Sequence, residues 1–197
     1  LNGIALKLKF KALQTRAAEK IEEVAESRGF SREELEDRLA PDLGLDPDGS
    51  MQLDFGPRTF VVGFDEQLRP FVKDAQGARL KDLPKPNKSD DEAKAKAASE
   101  RWSLLKKDAR TAAGLQISRF ELAMCARRRF PCADFVELFV RHPLVFHIVR
   151  RLVWALFDDA NAVVATFRVA EDRTFATVDD DAWTLPEGDA AVKVGLP

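Results

Sequence analysis

The sequence predicts an α+β fold, with antiparallel β meanders and one long helix plus several shorter helices packed against them. Two observations carry this. Residues 51–83 and 158–197 alternate apolar and polar side chains between turn-forming residues. Residues 1–40 and 91–157 instead repeat apolar side chains at three- and four-residue spacing. Strand-type and helix-type segments are therefore grouped, the pattern of α+β rather than of alternating βα units.

The elements follow in order. Ile4, Leu8 and Ala12, then Ile21, Val24 and Ala25, predict a helical lead-in over residues 1–40, which Arg28-Gly29 interrupts. Ser31 and Glu34 form a capping box that opens a short second helix, stopped before Pro41. Leu53 and Phe55, with Phe60, Val62 and Phe64, predict the first strand of a three-stranded meander. Residues 71–73 and 79–83 supply the other two, with glycine at Gly77 for the tight turn. Residues 84–90, with Pro84 and Pro86 and no large apolar side chain, read as a linker.

The longest helix is predicted from about Asp91 to Arg128, capped by Ser89 or Asp90. Its buried stripe is Trp102, Leu105, Ala109, Ala112, Gln116, Phe120 and Met124, widened by Leu115, Ile117 and Leu122. Gly114 in its middle costs about 1 kcal/mol relative to alanine, so close packing of another element is expected there. Residues 133–140 predict a further helix, and Pro143 opens another. Within residues 153–157 helix gives way to strand. Residues 163–169 form the clearest strand, followed by Phe175 to Val178 and an edge at Trp183 to Leu185.

The 197 residues are 45% hydrophobic and 32% charged, enough for one sizeable core and too apolar for a disordered chain. The whole is expected to be a single α+β domain, 1–197, cut from a larger protein, since it begins on Leu1 and carries no leader pattern. No apolar run approaches the ~20 residues of a membrane span. Cys125 and Cys132 as the only cysteines suit a reducing, cytoplasmic setting.

Motifs for common chemistries fail on particular residues. Gly44 to Gly49 has the spacing of a phosphate loop, but Ser50 stands where a lysine is needed and Asp46 and Asp48 would repel phosphate. Counting a calcium loop from Asp46 places Met51 and Pro57 at the positions that require glycine and glutamate. His142 and His147, five apart, fall on different helix faces, unlike zinc ligands at i and i+4. No catalytic, cofactor or metal residues are assigned, and no cofactor is expected.

Charge is distributed unevenly behind a net of −2. Residues 101–151 hold eleven Lys/Arg against four Asp/Glu, and residues 158–197 three against nine. Arg127, Arg128, Arg129, Arg150 and Arg151 are the candidate anion or nucleic-acid site, since clustered arginines neutralise phosphates. Bases at a helix C-terminus, paired with the acidic half, form the competing explanation and the preferred one.

Several runs carry a resemblance: 53–58, 62–70, 80–86, Arg141-His142-Pro143-Leu144, Arg151-Leu152-Val153-Trp154, Ala165 to Val169 and Thr184-Leu185-Pro186. Together they resemble a bacterial family, the domain of unknown function 4132, over the whole chain and most strongly from Leu53 onward. The resemblance implies a long cytosolic protein of the kind described as regulators of molybdate metabolism. Some relatives carry a WGR domain, a module associated with nucleic-acid-dependent enzymes. No catalytic residue transfers with it. The expected function is a non-enzymatic regulatory or protein-interaction domain, with other domains of the parent chain or a protein as partner. Nucleic-acid binding through the arginines is the alternative, and no membrane partner is expected.

Overall fold

Small side chains along one face of a single long helix set the layout. The computed structural model describes residues 11–65, 68–186 and 192–197. The expectations for Ile4 and Leu8, and for Glu66 and Gln67 in a turn, lie outside the described residues. The chain divides into two compact units, 1–40 and 41–197. No helix of the described residues is long and apolar enough to cross a membrane.

The first unit holds α1 (Lys11–Ser27) and α2 (Arg32–Arg38). Gly29 ends α1 at φ 70°, with Phe30 N–H donating to Ala25 O at 3.0 Å. That bond and Gly29 N–H to Glu26 O serve carbonyls of the last turn, Ala25 O accepting from Arg28 N–H as well. The predicted capping box is present: Ser31 Oγ accepts from Glu34 N–H, and Glu34 accepts from Ser31 N–H at 2.7 Å. Ile21, Ala25 and Leu35 form its small core, with Val24 and Phe30 packed against them.

In the second unit a four-stranded antiparallel sheet runs β1 (Met51–Asp54), β2 (Thr59–Phe64), β3 (Pro70–Lys73) and β4 (Arg79–Leu80) in chain order. The three-stranded expectation is corrected because Gly56, at φ 88°, makes Gly56-Pro57 a hairpin turn rather than a break within one strand. The last strand is also shorter than expected, ending at Leu80. Residues 84–90 are pinned in place. Arg58 grips Asp90 through Nε–Oδ1 at 2.9 Å and Nη2–Oδ2 at 2.6 Å, and Nη2 also donates to Lys85 O. Arg58 holds the Asp90 carboxyl below its usual range.

The long helix α3 (Glu92–Cys125) starts one residue later than expected, because Asp91 is its cap and Asp90 serves Arg58. Its stretch from Ala95 to Ala112 lays Ala95, Ala98, Trp102, Leu105, Ala109 and Ala112 over the sheet, in a core shared with Phe55, Phe60, Val62, Phe64 and Val72. Trp102 Nε1 donates to Asp82 at 2.6 Å, and Lys94 pairs with Asp54 at 2.9 Å. Its second half meets another core through Phe120, which lies 5.2 Å from Phe139 and 5.7 Å from Trp154.

That second core belongs to a six-stranded antiparallel sheet in the order β5-β10-β6-β7-β8-β9. The strands are β5 (Phe130–Pro131), β6 (Trp154–Phe157), β7 (Val163–Val169), β8 (Phe175–Ala176), β9 (Ala182–Trp183) and β10 (Lys193–Gly195). Strands β7 to β9 form the expected meander, β6 adds to it from the 153–157 stretch where helix was expected to give way to strand, and β10 joins β5 to β6. The 133–140 helix is one α turn, α4 (Cys132–Phe135), that widens into a π turn over Val136–Val140. The helix expected from Pro143 is regular only over α5 (Phe146–Val149). Phe135, fully buried, touches Trp154 at 4.7 Å, Phe167 at 5.9 Å and Phe139 at 6.1 Å, all edge-to-face.

Phe135→Ala is expected to cost about 3–5 kcal/mol, the range for emptying a buried aromatic site. Urea unfolding followed by tryptophan fluorescence measures it. A loss below about 1 kcal/mol would mean that this ring is not the hub of the second core.

Candidate functional site

The five arginines singled out from the sequence fall into two groups at opposite ends of β7. Arg127 lies beyond the end of α3, not on it. Its φ of 50° places it where glycine usually ends a helix, and its N–H donates to Met124 O at 3.0 Å. Arg128 sits 4.9 Å over the Phe130 ring. Arg129 lies 3.5 Å over Phe157 and donates to Asn161 Oδ1 at 3.0 Å, in the turn before β7. Burial, then the nearby Arg127, lowers the Arg129 pKa. Arg150 instead pairs at 2.9 Å with Glu171, in the turn after β7, and Arg151 is exposed beside it in sequence. The seven residues of β7 separate the groups by about 20 Å at ~3.3 Å per residue. The structure therefore does not gather the five into one cluster.

A different face emerges on α3. Leu104 and Leu122 are 50% and 68% exposed, and Leu115 between them is half-buried. At 3.6 residues per turn, positions i, i+11 and i+18 share one line, so these leucines form a stripe. It runs on the side of the helix away from Trp102, Ala109 and Phe120. The expected burial of Leu122, Ile117 and Met124 is thus corrected: α3 buries alanines (95, 98, 109, 112, 113 and 123) and leaves these larger side chains out. Such a narrow alanine face lets the helix sit close to the four-stranded sheet.

Gly114 lies on this outer side, with nothing within 4 Å of where its Cβ would be. The packing expected to explain it is therefore not supplied by the described residues. A shallow groove lined by Ser99, Glu100, Ser103, Leu104 and Lys107 opens on the same side. The sequence reading missed the site because exposed leucines on a helix look like core. The run of alanines along the opposite face was the signal that separates the two.

A third region joins loop 41–50 to α5 and to the turn after β7. Arg173 donates to Pro47 O and, at 3.3 Å, to Arg141 O, with its guanidinium 4.8 Å over Phe146. His142 Nδ1 accepts from the N–H groups of Leu144 at 3.2 Å and Val145 at 3.1 Å, fixing the turn into α5. His147 packs 5.3 Å from Phe64 and against Gly49, where an added Cβ would come within 2.9 Å of Nε2. That Nε2 is buried without a hydrogen-bond partner among the described residues. Burial, then Arg150 and Arg173, depress His147 to about 4, although the Gly49 backbone favours the protonated form. Among the described residues no group of three His, Cys, Asp or Glu could hold a metal ion. Neither Cys125 nor Cys132 is in a disulfide, and Cys132 Sγ donates to Val192 O at 3.6 Å.

The depressed His147 has a defined linkage. Between its folded value near 4 and its ordinary 6.5, the unfolded chain binds the proton and the folded chain does not. Stability is therefore full above about 6.5 and falls as pH drops toward 4, by up to about 2–3 kcal/mol once solvent screening is allowed for. Urea unfolding at both ends of that window should show this loss in the native chain and a smaller one in His147→Leu. An equal loss in both would assign the acid sensitivity elsewhere.

Comparison with known proteins gives a consistent picture. Residues 77–197 match the family described as "Domain of unknown function (DUF4132)". Over 199 residues the chain is 40% identical to "Uncharacterized protein YehI" of Escherichia coli (strain K12), a match that covers all of this chain and 16% of that relative. The chain thus spans about one sixth of that relative's length. No solved structure matches.

Proposed function

The chain belongs to the DUF4132 family, and from that premise we propose that it is a non-enzymatic interaction domain of a longer bacterial cytosolic protein, working through the outer face of α3. One observation carries the reading: a line of leucines stands exposed on the helix whose opposite face both sheets share. A partner seated there contacts the element that spans both cores. The 16% share of the long relative supports a setting in which other domains are at hand as partners. A regulatory role, including the link to molybdate metabolism that the resemblance implies, is the finer form of the same proposal. Nucleic-acid binding is the rival, and the separation of the arginines along β7 counts against it.

The reading is tested by placing a photo-crosslinking residue at Leu104 or Leu122 in living bacteria. Discrete protein-sized crosslinks are expected there and not at Lys88 in the 84–90 segment. An absence of crosslinks at both positions would remove the proposal. In parallel, anisotropy titrations with short DNA and RNA should show no binding at low salt. Binding that falls steeply with salt and vanishes when the five arginines become glutamate would install the rival in its place.

A further inference from the structure

Resting on that reading, we infer that the outer face of α3 pairs with the α3 of a second copy of this chain, antiparallel and two-fold symmetric near Gly114. The helix is complementary to its own reverse. Lys107, Gly114 and Glu121 recur at seven-residue spacing and so share one line of the exposed side. Turning a second α3 end for end about Gly114 sets Lys107 of each copy opposite Glu121 of the other. Neither side chain forms an ion pair among the described residues. Within two residues of the same register, Leu104 comes level with Leu122 of the other copy, on the neighbouring line of the outer side.

The glycine falls where such a pair needs it. At the two-fold axis the helices cross, and a residue without a side chain lets the backbones approach. This accounts for a mid-helix glycine that meets nothing within 4 Å among the described residues of its own chain. Thr111 and Ser118, a turn to either side and both exposed, keep the crossing narrow. The leucines provide the apolar contact, and the paired charges set direction: parallel helices in register would bring Lys107 to Lys107 and Glu121 to Glu121. Isologous pairing of this kind is the commonest route to a homodimer.

Sedimentation velocity over a concentration series, on the chain itself, tests the inference. A concentration-dependent dimer is expected, and Leu122→Glu should weaken it by about tenfold or more. Because Leu122 is exposed, that variant should keep its far-UV circular dichroism. Lys107→Glu and Glu121→Lys should each weaken the dimer, and the two together should restore it. A monomer at every concentration would overturn the inference, as would a double variant no better than the single ones. Neither result would touch the interaction reading, which in-cell crosslinks from Leu104 or Leu122 to a different protein would still support.

Discussion

One helix has to serve two cores, and most of the second unit follows from that constraint. At 34 residues α3 is about 50 Å long, with ~1.5 Å of rise per residue. Its first half closes the four-stranded sheet with alanines and Trp102; its second half presents Phe120 to Phe139 and Trp154. A face of alanines brings the axis near the strands without filling the space with long side chains. The larger side chains are left for the periphery and the far side.

The position of α3 is fixed by polar contacts as much as by packing. Arg58 and Asp90 close the segment before it, and the Asp90 side chain is 1% exposed. Asp91 N–H then donates to Phe55 O at 2.9 Å, which ties the helix start to the sheet it covers. Further along, Asp82 accepts from the Trp102 indole and pairs with Lys106 at 3.2 Å, while Arg101 reaches Leu43 O. Each charge sits beside a partner distant in sequence, so these bonds specify which helix face meets the sheet. A hydrophobic stripe alone would tolerate rotation by some tens of degrees.

Local signals were legible and long-range ones were not. The capping box at Ser31, the turn at Gly77 and the alternation through Val163 to Val169 need only neighbouring residues, and all are present. Strands β5 and β10 are two and three residues long and have no period of their own. β10 exists because β6 offers an edge, and β5 because β10 offers the next one. The left-handed Arg127 was hidden for a related reason, since a run of three arginines reads as helix end and says nothing about φ. On α3 the period was right and the phase was partly wrong. Leu115, Ile117, Leu122 and Met124 outweighed the alanines by hydrophobicity, whereas close packing selects by size.

The charge asymmetry takes on a different meaning once the partners are known. Arg150 with Glu171, and Arg129 with Asn161, tie the basic helical half to the turns at either end of β7, and Arg173 reaches back from the acidic half to Pro47 and Arg141. Arg129, Arg150 and Arg173, which read as part of a surface field, are instead stitching between segments far apart in sequence. An arginine spent on a carbonyl, a ring or a carboxylate gains less from a phosphate, because that contact must first be given up. The outer face of α3 is under no such commitment. Leu104 and Leu122 stand half or more exposed, and Gly114 costs the helix stability while meeting nothing within 4 Å among the described residues, which is why a partner on this face is proposed to account for both.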